Sequence, residues 1–240
     1  MDLYQSSPET QENIDEIMNL SRTQPEKIQV IEAQVDIDVQ LDYFDTLKNL
    51  TKEEFNQDID ELIANLSDIN DYDLIKKSLV QLSGKDDVRA YRAVESFVEK
   101  CPKNLKAWCI LAYQQSKMML ETSLLEESKV FVSSALGGIG NKIRYSVGIL
   151  LKESQEISSY QKDLLKKETK YFLEKDNGLL ETVSFTEQVA FITCLIPLHV
   201  NVQDLFQNIT EEVNLYGDFL QGNITITNAK HLQISDLIED

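Results

Sequence analysis

The segment Thr51-Lys52-Glu53-Glu54 has the spacing in which a threonine and a glutamate three residues later cap each other's backbone, and Phe55, Ile59, Leu62, Ile63 and Leu66 follow at helical intervals. Similar one-sided apolar stripes recur along the chain. They predict further helices near 74–83, 87–100, 104–121, 123–136, 141–153, 156–175, 178–196 and 202–221, the last two separated by Pro197. Pro25 suits the first position of a helix after Thr23 or Gln24, with Glu26 as an acidic first-turn residue. Residues 28–43 read two ways: Val35 to Tyr43 alternate like a half-buried strand, whereas Ile28, Ile31, Val35 and Val39 share one helical face. The helix-start signal and the helical neighbours tip the reading to one long helix. After Gly222 the alternating Ile224-Thr225-Ile226-Thr227 is placed to pair with Leu232-Gln233-Ile234 as a small β-hairpin, with a helix as the equal alternative.

Within residues 74–136 the spacing is more specific. Ala90, Val94, Pro102, Trp108, Leu111 and Ala112 stand at intervals of 4, 8, 6, 3 and 1. Small Ala90 and Ala112 let two helices approach, Val94 and Leu111 fill the groove, Pro102 ends one helix before Asn104 starts the next, and Trp108 is a large wedge. Together they resemble the tetratricopeptide repeat (TPR), a 34-residue helix-turn-helix unit. Ser128, Val132 and Ala135 resemble a second, degenerate copy after about four extra residues, while Phe97 and Gln115 depart from the pattern. The resemblance implies a mainly α protein of TPR-like antiparallel helical hairpins stacked as an α-α superhelix, and a role in binding another protein or peptide.

Charge divides the chain into three. Residues 1–73 carry 19 acidic and 4 basic side chains, residues 74–175 carry 12 and 18, and residues 176–240 carry 10 and 1. The expected organisation is an acidic N-terminal helical segment (1–73), a basic TPR-like region (74–175) and an acidic C-terminal segment (176–240). Opposite charge favours docking of the first segment on the second; the alternative is an ordinary interface held mainly by Phe55, Ile59, Leu62 and Leu66, with charge adding little. The overall net charge of −18 argues against wrapping of the whole chain around nucleic-acid phosphates or anionic lipid. Three cysteines, Cys101, Cys109 and Cys194, are too few and too odd for a disulfide framework, which points to a reducing, cytoplasmic setting. The acidic first sixteen residues do not read as a secretory signal, and the apolar run Val189–Val200 is too short to span a membrane.

No motif carries chemistry. Asp68-x-Asn70 with Asp71 and Asp73 opens like a calcium loop but lacks the glycine at its sixth position and the glutamate at its twelfth. Gly137-Gly138-Ile139-Gly140 follows a predicted helix, lacks a phosphate-loop ending, and reads as a helix cap and tight turn. Cys194 and His199 are a conceivable nucleophile and base, but Cys194 sits in an apolar stretch where cysteine behaves as a small hydrophobe. Two histidines and no paired cysteines leave no expected metal or cofactor. Lys100, Lys103 and Lys106 surround the Pro102 turn, and Lys162, Lys166 and Lys170 share a later helix, with Lys167 beside them; these are the candidate peptide-binding groups. The expected function is a non-catalytic protein-binding or peptide-binding scaffold with a protein or acidic peptide as partner. The runner-up is an acidic inhibitor or immunity-type protein that masks a basic partner, and a small enzyme on a helical scaffold stands third.

Overall fold

The structure, a computed structural model, describes residues 8–67, 71–125, 129–152 and 157–238. After a first helix, α1 (Pro8–Thr23), and a single 3₁₀ turn with Pro25 at its start, Ile28–Val30 forms strand β1. Its partner comes about a hundred residues later: β2 (Val130–Val132) pairs with β1 in parallel, Ile28 opposite Val130 and Val30 opposite Val132. Residues 33–129, between these two strands, form a structural unit of their own, inserted into the unit made by residues 1–32 and 130–240.

The inserted unit is helical: α2 (Ile37–Lys48), α3 (Lys52–Phe55), α4 (Ile59–Asn65), α5 (Tyr72–Ser83), α6 (Val88–Lys100) and α7 (Lys106–Leu125). Each start has a local cause. Asp36, Thr51, Asp58, Asp71 and Asp87 accept backbone N–H bonds at the N-termini of α2 to α6, and Thr51 and Glu54 complete the capping box expected of them. The single helix expected after Thr51 is divided, because Asp58 caps a fresh helix four residues on. Ala90, Val94, Trp108, Leu111 and Ala112 are all buried in the core of this unit, together with Tyr43, Leu62, Ile75, Leu79 and Leu82; Pro102 is half-buried between α6 and α7. The Tyr43 hydroxyl donates to Gln115 Oε1 at 2.7 Å and shares a 2.8 Å bond with Ser83 Oγ, so this buried phenol is satisfied, and burial pushes its pKa up. Asp42 pairs with Lys76, Glu54 with Lys77 and Asp60 with Arg89, ion pairs at the surface, the second of them half-buried, joining acidic and basic stretches inside this one unit.

The enclosing unit overturns the mainly α superhelix. Its chain runs β3 (Gly138–Ile139), β4 (Lys142–Leu151), α8 (Ser159–Lys175), β5 (Leu179–Phe185), β6 (Val189–Pro197), α9 (Val202–Gly217) and β7 (Leu220–Thr227). The strands form a five-stranded antiparallel sheet in which β4 pairs with β6 on one edge and with β3 and then β7 on the other, and β5 closes the far side of β6. From β4 onward the order β-α-β-β-α-β, with β7-β4-β6-β5 in space, is the split β-α-β arrangement of ferredoxin-like folds. Helices expected at 123–136, 141–153 and 178–196 are therefore replaced wholly or in part by strands, and the long helix expected over 28–43 is strand β1 followed by helix α2. Val132, expected on a helix of a second repeat, lies in β2, while Ser128 is outside the described residues. Ile224–Thr227 is a strand, but it pairs with β4 instead of with Leu232–Ile234. The first two charge blocks each cut across both units, and the third lies wholly within residues 130–240 of the enclosing one.

Why strands win is visible in β4 and β6. Tyr145, Val147, Ile149 and Leu151 alternate toward α8 and α9, and Ala190, Ile192, Cys194 and Ile196 do the same, in one core with Leu165, Leu173, Phe206, Ile209 and Val213. The opposite face is also covered. Leu232 N donates to Ser146 Oγ at 3.0 Å, a Cβ on Gly148 would stand 2.5 Å from Leu237 Cδ2, and Arg144 forms a bidentate pair with Glu181 while donating to Leu136 O at 2.8 Å. Strands buried on both faces read as continuous apolar runs, which a helical period also fits. Gly137-Gly138-Ile139-Gly140 is no helix cap: Gly140, at φ 60°, and Asn141 form the two-residue turn between β3 and β4.

Candidate functional site

The six candidate lysines fall three to each unit: Lys100, Lys103 and Lys106 in the helical insertion, Lys162, Lys166 and Lys170 on α8. All six are exposed. Lys106 donates to Val98 O at 2.6 Å, Lys170 lies 3.7 Å from Glu174, and Lys162 stands over the Phe185 ring at 5.7 Å. These contacts are those of helix-surface lysines using local partners.

Cys194 and His199 are not brought together as a nucleophile and base. Cys194 lies on β6 in the core between sheet and helices, where burial, with a smaller push from the Glu181 charge, raises its thiol to about 12. The His199 ring meets Ser21 Oγ through Nδ1 at 3.2 Å and borders a cleft of about 370 Å³ with Arg22, Lys175, Asp176 and Asp204. Asn201 and Asp204 are occupied there by the capping of α9: Asn201 Oδ1 accepts from the amides of Gln203 and Asp204, and its side-chain amide donates to Asp204. The cleft is therefore bordered by a histidine already bonded to the buried Ser21 hydroxyl, and by helix-end groups engaged in capping. Among the described residues no group of three or more His, Cys, Asp or Glu side chains is arranged to hold a metal ion, and Asp68 and Asn70 of the calcium-like loop lie outside them; Asp71 is the cap of α5.

The thiols yield a prediction. Cys109 and Cys194 are both fully buried with pKa values raised by burial, whereas Cys101 is half-buried. Iodoacetamide at pH 8 is expected to modify Cys101 first, and to reach Cys109 and Cys194 only at the rate of unfolding or local opening. Mass-spectrometric mapping of early time points checks this; early modification of Cys194 would place a reactive thiolate where the fold provides none.

A feature the sequence reading passed over lies on α2. This helix has two apolar sides. Tyr43 and the Gln40 stem face the core, with Val39 and Leu47 packed against it, while Ile37, Leu41 and Phe44 stand 46%, 57% and 39% exposed along one line at i, i+4, i+7. Phe44 is held by an edge-on contact with the Tyr43 ring, centroids 5.5 Å apart. Each stripe residue is followed immediately by an aspartate, so Asp38, Asp42 and Asp45 make an adjacent row about 100° round the helix. Asp42 bonds Lys76 Nζ at 3.0 Å, whereas the Asp38 and Asp45 side chains have no basic partner among the described residues. Three residues beyond Phe44, Leu47 borders a cleft of about 290 Å³ with Leu50, Thr51, Lys52, Phe55 and Asn56. The repeated Asp in Ile37-Asp38, Leu41-Asp42 and Phe44-Asp45 is the signal that marks this face in the sequence. The alternation of residues 35–43 conceals it, because it does not say which apolar residues face inward.

Comparison of the chain with protein-family models, curated proteins and solved structures finds no match to any of them.

Proposed function

We propose that this protein is a non-catalytic protein-binding module and that the outer stripe of α2 is its contact surface. The observation that carries the reading is the exposure of Ile37, Leu41 and Phe44 in register on a helix whose other side is already packed. Single exposed apolar residues are ordinary on protein surfaces, but three in line form the kind of contiguous patch used for association. The split β-α-β sheet offers no contrary argument, since that fold serves many functions. No helix of the described residues is long and apolar enough to cross a membrane.

Site-specific photo-crosslinking in the source cells tests the proposal. A photoreactive phenylalanine analogue at position 41 is expected to give a discrete protein adduct, and the same analogue at position 167, on the exposed side of α8, is expected to give none. Equal labelling from both positions, or none from position 41, would overturn it.

A further inference from the structure

We infer that the occupant of the α2 stripe is a basic amphipathic helix of another protein, an inference that rests on the reading of that stripe as a contact surface. The stripe from Ile37 to Phe44 spans seven residues of helix, about 10 Å, and its i, i+4, i+7 spacing matches the apolar face of a second helix lying along it. The neighbouring row of Asp38, Asp42 and Asp45 then sets the charge of the partner. Residues 33–67 carry nine carboxylates against two lysines, and although Asp42, Glu54 and Asp60 are paired with Lys76, Lys77 and Arg89, the stretch keeps a negative excess beyond that row. A helix whose apolar residues rest on Leu41 and Phe44 places its adjacent row over the aspartates, where lysine or arginine gains and glutamate loses. Because Lys76 already holds Asp42, discrimination falls mainly to Asp38 and Asp45.

Other occupants fit the charge less well. A second copy of this chain docking stripe on stripe would bring one aspartate row toward another, and an anionic membrane would be repelled by the same residues. An acidic peptide meets the same repulsion, so the surface selects against the partner chemistry suggested by the lysines.

The probe is a synthetic peptide of about 15 residues, long enough for a marginal helix, with leucines at i, i+4, i+7 and lysine and arginine on the adjacent row. Its counterpart carries glutamates in that row. Binding to the full-length protein is followed by fluorescence anisotropy at low and high salt. The basic peptide is expected to bind and the acidic one not. Leu41→Glu is expected to weaken binding about 30-fold or more, as removal of a central apolar anchor does. This variant also separates docking from simple adsorption, since an added negative charge would strengthen adsorption of a cationic peptide. Asp38→Asn with Asp45→Asn is expected to weaken binding about 3- to 10-fold and to flatten its salt dependence. Both changes are at exposed positions, and circular dichroism checks that the fold is kept. Equal binding of the two peptides, or no effect of the Asp→Asn pair, would overturn the basic partner while a Leu41→Glu loss still supports the stripe. Insensitivity to Leu41→Glu would overturn the stripe itself. Dimerisation abolished by Leu41→Glu in sedimentation equilibrium would assign the stripe to a second copy, and cosedimentation with vesicles of anionic phosphatidylserine would assign it to a lipid surface, each overturning the inference.

Discussion

Replacing Trp108 with alanine is expected to remove about 3–5 kcal/mol of stability, the usual range for deleting a large core aromatic. Trp108 is 2% exposed in the core of the helical insertion. Its indole Nε1 donates to Lys76 O at 3.1 Å, its ring meets Tyr43 edge-on with centroids 5.1 Å apart, and Lys76 Nζ stands 4.5 Å above it. Alanine would leave a cavity lined by α2, α5 and α7, with Tyr43 losing the wall that helps hold its hydroxyl on Ser83 and Gln115. For a unit of this length, 3 kcal/mol corresponds to a fall in Tm of roughly 12 °C or more. Thermal circular dichroism measures it, supported by loss of amide exchange protection in α5, α6 and α7. Trp108 is the only tryptophan, so in the native protein its fluorescence independently reports the melting of this unit. An unchanged Tm would mean that the wedge at the centre of the repeat-like spacing contributes little.

Gly138→Ala is expected to cost about 3 kcal/mol or more, at or beyond the upper end for overpacking, because the obstruction is backbone. A Cβ there would stand 2.1 Å from Lys142 O and 2.5 Å from Val30 Cγ1. The carbonyl belongs to the first residue after a two-residue turn and cannot retreat without breaking the β3–β4 pairing; Val30 belongs to β1, whose amide donates to Gly140 O at 2.6 Å. Two other glycines supply the scale. Gly140→Ala has open space but a φ of 60°, and should cost about 1 kcal/mol; Gly222→Ala has neither obstacle and should be near neutral. Urea denaturation of the three variants is expected to rank them in that order. A Gly138→Ala midpoint equal to that of Gly222→Ala would contradict the close approach of β1, β3 and β4.

Local signals and tertiary signals were unequally legible in the sequence. Helices α5, α6, α7, α8 and α9 lie near the ranges given by their apolar period, because caps and one-sided stripes act over three or four residues. The strands escaped for a different reason. Val189–Pro197 is covered on both faces, so the polar alternation that identifies a half-buried strand is missing; its short length and its Val, Ile and Thr content were the better guide. The Gly140-Asn141 turn carried a hairpin signal that a helix-dominated reading obscured. At the proposed contact surface, the alternation of residues 35–43 was recognised, but its meaning depends on which side meets α5 and α7. Sequence periodicity shows that α2 has apolar residues on two sides; only the packing of Tyr43 shows that Ile37, Leu41 and Phe44 are the ones left over.

The parallel pairing of β1 with β2 across the whole helical insertion has a consequence for biosynthesis. When the ribosome has made Ile28–Val30, the strand that completes them does not yet exist, and it emerges only after roughly 5–20 s of further translation at ordinary speeds. During that interval Ile28–Val30 lack their strand partner and their backbone groups stay bonded to water, while the sequence-local helical insertion has everything it needs to fold. Vectorial synthesis therefore favours an inside-out order, in which the insertion is finished before its host can be completed. Closure of the β1–β2 pair then spans a structured unit, avoiding the entropy cost of a long flexible loop. Translational pausing after residue 129 would lengthen the exposure of β1, and a chaperone that shields extended segments would act on this chain chiefly in that window.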